Sequence, residues 1–127
     1  MRKNISSGSQ YEEPIGFSRA VRIGNQVAVS GTGPIPRPGE TLDYDDVYAQ
    51  TKLCLLIMLE AIEKAGATRD QVIRTRIMLT DASTWKEAAR AHGEVFTAIR
   101  PACTFVEVRG FIDPRWKVET EADCVIF

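Results

Sequence analysis

Residues 100–110 read RPACTFVEVRG. After the proline the stretch alternates, with Phe105, Glu107 and Arg109 pointing one way and Thr104, Val106 and Val108 the other. A period of two is that of a strand. It leaves charge on one face beside a phenylalanine, and a cysteine, Cys103, at the strand's entry. Upstream, QVIRTRIMLTD (71–81) alternates in the same way, setting Ile73, Thr75, Ile77 and Leu79 against Val72, Arg74, Arg76 and Met78. Between the two lies a helix. Thr84 with Glu87 three residues on has the spacing of a capping box, and Trp85, Ala88, Ala89, His92, Val95 and Phe96 supply an inner face. Downstream, KVETEADCVIF (117–127) puts Val118, Thr120, Ala122, Cys124 and Ile126 on one face and Glu119, Glu121 and Asp123 on the other.

The first half completes the pattern. SRAVRIGNQVAVSG (18–31) reads as two short strands joined at Gly24-Asn25, a hairpin turn. GTGPIPRPGE (31–40) holds most of the turn-forming residues and reads as one surface loop. From Asp43 to Ala65, Val47, Thr51, Cys54, Met58, Ile62 and Ala65 fall on one helical stripe. The run LCLLIML widens that stripe and predicts burial on more than one side. Asp43, Asp45 and Asp46 suit the positive end of a helix dipole, and Gly66 suits its stop. The order is β-β-α-β-α-β-β, a single α+β domain over residues 1–127 with two helices on one face of a mixed sheet. Arg74, Arg76, Glu107, Arg109, Glu119, Glu121 and Asp123 collect on the opposite face. Their signs balance, so they can pair across strands or lie in solvent. With Phe105, Met78 and Val125 among them, the face is more apolar than free exposure requires, and an oligomer interface with polar clefts at its seams is the favoured reading.

Composition excludes several classes. A chain of 127 residues, 44% hydrophobic, 26% charged and with formal net charge −1, exerts no general pull on nucleic acid or anionic membrane. Its longest apolar run, Leu53–Leu59, is far short of the ~20 residues that span a bilayer, and the first residues lack the apolar core of a secretory signal. Cys54, Cys103 and Cys124 match no zinc or redox spacing and read as reduced thiols in a cytoplasmic protein. With one histidine and no calcium-loop pattern in DYDD, no metal is expected.

PIGFSRAVRIGNQVAVSG, AQTKLCLLIMLEAIEKAGATRDQVIRTRIMLTD, RPACTFVEV and VETEADCVIF resemble, in order, the motifs of the YjgF/RidA family. The name stands for reactive intermediate deaminase, and many members carry the older label endoribonuclease L-PSP. The likeness runs from about Pro14 to the C-terminus. It implies a chorismate-mutase-like fold and a homotrimer whose sheets form a central barrel, with a ligand cleft at each subunit interface. Deaminating members hydrolyse imines or enamines of 2-oxo acids there without metal or cofactor.

Carried over residue by residue, the resemblance puts Glu119 on the glutamate that holds or activates the attacking water. Ser30 and Gly31 fall on the loop that shapes the cleft. Phe17 replaces the usual tyrosine, and Ala89 stands where many members have asparagine. Cys103 stands where deaminating members have the arginine of a Pro-Ala-Arg-Ser motif, which grips the substrate carboxylate. Thiols are weak donors without positive charge, whereas a guanidinium–carboxylate contact is bidentate and charge-assisted. Its loss costs at least about tenfold to a hundredfold in binding a 2-imino acid. Either the substrate lacks that carboxylate or another cation supplies the grip, Arg100 first, with Arg19 and Arg76 behind it.

Each residue has a plain alternative. Arg100 can be a solvated loop charge. Cys103 can line the cleft, pack, or act as a nucleophile if a cation lowers its pKa. Glu119 can pair with Arg76 or Arg109 rather than work on water in a desolvating cleft. His92 reads as a packed, hydrogen-bonded residue, and Cys54 and Cys124 as core. Two functions follow: a deaminase of small imines or enamines with altered preference, or a non-catalytic trimeric metabolite binder. A ribonuclease stands third, because the chain has no basic stripe and no histidine pair.

Overall fold

The computed structural model describes residues 1–127. In chain order the elements are β1 (Arg2–Ile5), the single-turn α1 (Glu12–Ile15), β2 (Ala20–Ile23), β3 (Gln26–Thr32), α2 (Val47–Lys64), β4 (Val72–Leu79), α3 (Trp85–Phe96), β5 (Ala102–Glu107) and β6 (Val118–Val125). Short 3-10 turns at Arg69–Gln71 and Ala82–Thr84 lead into β4 and α3. The strands form one sheet in the order β1-β2-β3-β6-β4-β5, antiparallel except for the β4–β5 pair. The α+β order predicted from sequence is therefore present, with β1 and α1 added at its N-terminal end.

The β2–β3 hairpin closes on Gly24 and Asn25, where Gly24 takes φ +61. Asp46 caps α2 by accepting the Ala49 N–H at 2.9 Å. Gly66, at φ +92, ends the helix, with the Ala67 N–H reaching back to the Ile62 carbonyl. Two cations complete this terminus: Lys3 Nζ donates to Lys64 O at 2.7 Å, and Arg22 Nη1 to Ala65 O at 2.8 Å. The six stripe residues of α2 are all buried, joined by Leu55, Leu59 and Ala61. Leu56, however, is 44% exposed, so the outer side of the helix stays open to solvent.

Sheet registers correct three further expectations. In β4 the pairing steps from Val72↔Cys124 to Arg74↔Asp123, so Ile73 is an extra residue. The bulge turns Val72 into the core and leaves Ile73 51% exposed, reversing their predicted faces. The parallel register Thr75↔Cys103, Ile77↔Phe105, Leu79↔Glu107 sets Cys103, Phe105 and Glu107 on the helix side. Glu107 is thus not part of the charged face; its Oε1 accepts the Ala82 N–H at 2.7 Å. Arg109 lies beyond the end of β5.

Loop and cap chemistry also differs. Thr84 caps nothing and donates its hydroxyl to Asp81 O, while Asp81 accepts the Ser83 N–H. The reciprocal capping box sits instead on Thr68 and Gln71. Trp85 is 49% exposed, and the inner face of α3 is Ala88, Ala91 and Phe96 with His92 and Val95 partly buried beside them. Thr32, Gly33 and Pro34 are buried, so the expected surface loop is open only in its later part. A β-carbon on Gly33 would fall against the ring of Trp116.

On the bare face Arg76 pairs with Glu121 at 2.8 Å and Arg74 with Asp123 at 3.9 Å, each directly across β4 and β6. Cys54 and Cys124 are core residues, and all three cysteines are free thiols. No helix is long and apolar enough to cross a membrane.

Candidate functional site

A second bulge builds the site. Between Val29↔Ala122 and Thr32↔Thr120, β3 advances three residues while β6 advances two, so the Ser30–Gly31 segment bows out of the ladder. Glu119 of β6 lies against it: a β-carbon on Gly31 would stand 2.8 Å from Glu119 Oε1. Only a residue without a side chain lets the carboxylate come this close.

Arg19 holds the bulge. It is 3% exposed. Its Nη1 donates to Gly31 O at 2.7 Å, Thr32 Oγ1 at 3.0 Å and Ser30 Oγ at 3.2 Å, and its Nε to Ser7 Oγ at 3.1 Å. Ser30 answers through its backbone N–H and hydroxyl, both donated to Arg19 O. The Phe17 ring lies 5.4 Å from the Arg19 guanidinium carbon, so the ring kept at this position faces a cation. Further back, Glu12 accepts from the Ser7 N–H, Ser7 hydroxyl and Ser9 N–H.

Glu119 is half-buried and takes part in no ion pair; the pairings with Arg76 or Arg109 held open from sequence do not form, because Arg76 is committed to Glu121. Burial pushes the Glu119 carboxyl above its ordinary range, Arg19 pulls it down, and Glu121 adds to the rise. Burial lowers the Arg19 guanidinium below its ordinary range, and the fields of Glu12 and Glu119 oppose that shift. A carboxyl that is partly desolvated, unpaired and raised above its ordinary range is suited to exchange a proton with water.

Within one chain the predicted residues separate into two groups. Phe17, Ser30, Gly31 and Glu119 come together around Arg19. Arg100 and Cys103 do not join them: β5 is the sheet's outer strand beyond β4, and Cys103 faces the helix side opposite Thr75. Glu119, opposite Met78, faces the other way. Arg100 is exposed at the α3–β5 junction with φ +58, its N–H on Phe96 O at 2.8 Å. His92 is packed on Phe96 and shares a 2.8 Å hydrogen bond with the buried Thr75 hydroxyl. Burial holds its imidazole below the ordinary range, so it brings no positive charge to the neighbouring Cys103 position. Ala89 is half-buried on α3. Sequence reasoning ranked Arg19 behind Arg100; nothing in the strand pattern signals that its side chain turns inward beneath the bulge.

The family model described as Endoribonuclease L-PSP matches residues 10–126. The chain belongs to the YjgF/RidA family. A solved structure of Rv2704 from Mycobacterium tuberculosis, a member of the YjgF/YER057c/UK114 family, is 43% identical, superposes with TM-score 0.90 and covers 99% of this chain and 100% of that one. The protein SCO2049 of Streptomyces coelicolor is 39% identical over 122 residues, 95% of this chain and 90% of its own. Reactive Intermediate Deaminase A of Arabidopsis thaliana is 30% identical over 110 residues, 85% of this chain and 58% of its own. This member sets Glu119 against the Ser30–Gly31 bulge and places Cys103 on the outer strand, away from both. It also brings a buried cation, Arg19, beneath the same bulge.

Proposed function

We propose that this YjgF/RidA protein hydrolyses small imines or enamines in clefts between the subunits of a homotrimer, with Glu119 as the acid–base residue. The observation that carries the proposal is the Glu119 carboxyl: half-buried, without an ion pair, raised in pKa and seated against Gly31. Glu119 takes a proton from a water as the oxygen adds to the C=N carbon and passes that proton to the imine nitrogen, giving a carbinolamine. It then takes the proton of the new hydroxyl and delivers it to the amine as the C–N bond breaks, and carbonyl product and ammonia leave. One water is consumed per imine, and the carboxylate is regenerated.

Three features of the chain support assembly. All six residues of β5 are exposed, Phe105 and Val106 included, and the strand's outer edge has no partner. Uncovered apolar edge strands are sites of association. Glu119 and Cys103 face opposite sides of the sheet, so a site containing both requires a second chain. In that cleft Cys103 supplies no grip on a carboxylate, and the substrate preference moves away from simple 2-imino acids. Arg100 lies near the same edge as the substitute cation. A ribonuclease role gains nothing here, since the single histidine is bonded to Thr75 inside the fold.

The test is to generate 2-iminobutyrate and an imine lacking a carboxylate in situ and follow their loss. The proposal expects faster decay of the second with protein present and no acceleration by Glu119→Gln. Binding of such molecules without acceleration by the wild-type protein would assign the chain to the binder reading.

A further inference from the structure

On the helix side of Arg19 lies a pocket of about 170 Å³ that the proposed chemistry does not use. Its walls are the Ser6–Ser9 segment, the loop from Gly33 to Pro38, and the α2 residues Ile57, Glu60, Ala61 and Lys64. Both loops are fixed. Trp116 fills the space above Gly33 and meets Tyr11 edge-on with ring centroids 5.9 Å apart, tying the two segments together. Three cations, Arg19, Arg37 and Lys64, line the pocket against one carboxylate, Glu60, which is paired with Arg37. Glu12 stands behind the wall, satisfied by Ser7 and Ser9.

Arg19 is the second observation. It is 3% exposed, yet all its hydrogen bonds leave from Nε and Nη1. Its Nη2 donates to nothing in the chain and is not sealed away, since the one sealed side-chain polar atom without a partner is Thr120 Oγ1. Buried guanidinium N–H groups with access to a polar pocket call for an acceptor.

From these residues we infer a second ligand site, separate from the Glu119 cleft, that takes a small organic monocarboxylate. Within the lining Glu60 is taken by Arg37, which leaves Arg19 and Lys64 to face a ligand, while Glu12 and Glu119 on the far side of Arg19 oppose more than one added negative charge. A dianion would meet both carboxylates, and a neutral ligand would leave Arg19 Nη2 without a charged acceptor. Serine hydroxyls at Ser6 and Ser9 suit a short hydroxylated chain attached to the carboxylate.

The site is tested by titrating the ¹⁵N-labelled protein with sodium acetate and sodium glycolate, against sodium chloride at equal ionic strength. The Gly8, Ser9 and Gly33 amides should shift saturably with the carboxylates and not with chloride. Lys64→Gln should weaken binding by roughly threefold to tenfold, since it removes one nearby charge at the pocket rim. Arg19→Gln should weaken it further. Glu119→Gln, which removes an opposing negative charge from beside Arg19, should not weaken binding, so the result stands apart from that of the imine assay. Linear shifts equal to those with chloride would overturn the inference. So would saturable shifts confined to the Ser30, Gly31 and Cys103 amides, or binding indifferent to Lys64→Gln.

Discussion

Glu119 carries a cost to stability along with its proposed chemistry. Its folded-state pKa is raised, so the native protein holds that proton more tightly than the unfolded chain does. Below the ordinary carboxylate range both states are protonated and the group is neutral in effect. As pH rises through that range the unfolded chain ionises first, and stability is lost until the folded carboxyl ionises too. Glu119→Gln is therefore expected to abolish imine hydrolysis while raising the melting temperature at pH 7, with the gain vanishing in acid; paired melting curves at pH 3 and pH 7 check the sign. Gly31→Ala makes the complementary test, because its methyl would displace Glu119 Oε1 without a forbidden backbone angle. Activity should fall at least about tenfold while the melting temperature changes little. Thr120 is a separate case: its hydroxyl is sealed in the core without a partner. Thr120→Val should stabilise the fold by about 1 kcal/mol in urea denaturation.

At the scale of elements, sequence pattern was most legible where one face is buried. The α2 stripe, the β2–β3 turn at Gly24-Asn25 and the alternation of β6 all follow from period and turn chemistry, and all are present. What the pattern could not show is an extra residue in a ladder. The bulges at Ile73 and at Ser30–Gly31 change the face of a side chain without changing the composition of the strand, so Val72 and Ile73 exchange sides. Parallel pairing hid the true face of Phe105 and Glu107, because register across β4 and β5 is set by distant contacts. β1 was missed because RKNI has a single core residue, Ile5; the strand is held by pairing with β2 and by the Lys3 contact at the end of α2. The resemblance pointed to Glu119, Ser30 and Gly31, which the structure brings together, whereas nothing in the sequence pointed to the inward turn of Arg19. The clamp at the α2 terminus gives a prediction of its own: Arg22→Ala should cost about 1 kcal/mol, read as a lower urea midpoint with an unchanged slope.

Across the whole molecule, one sheet face is covered by α2 and α3 while the other carries paired charges amid exposed apolar side chains. Ile23 and Ile73 are each more than half exposed there, beside the Arg74–Asp123 and Arg76–Glu121 pairs. Surface ion pairs of this kind contribute little on their own, typically about 0–1 kcal/mol. Closing that face and the β5 edge against other copies would remove apolar area from water and bring Glu119 within reach of a neighbour's Cys103 and Arg100. Val106→Asp, which plants a charge on the exposed edge strand, should therefore reduce assembly and imine hydrolysis together. Sedimentation equilibrium at micromolar concentration tests the shared cleft most directly. A species of about 42 kDa, three times the 14.1 kDa chain, is the expected result; a stable 14.1 kDa monomer with full activity would contradict it.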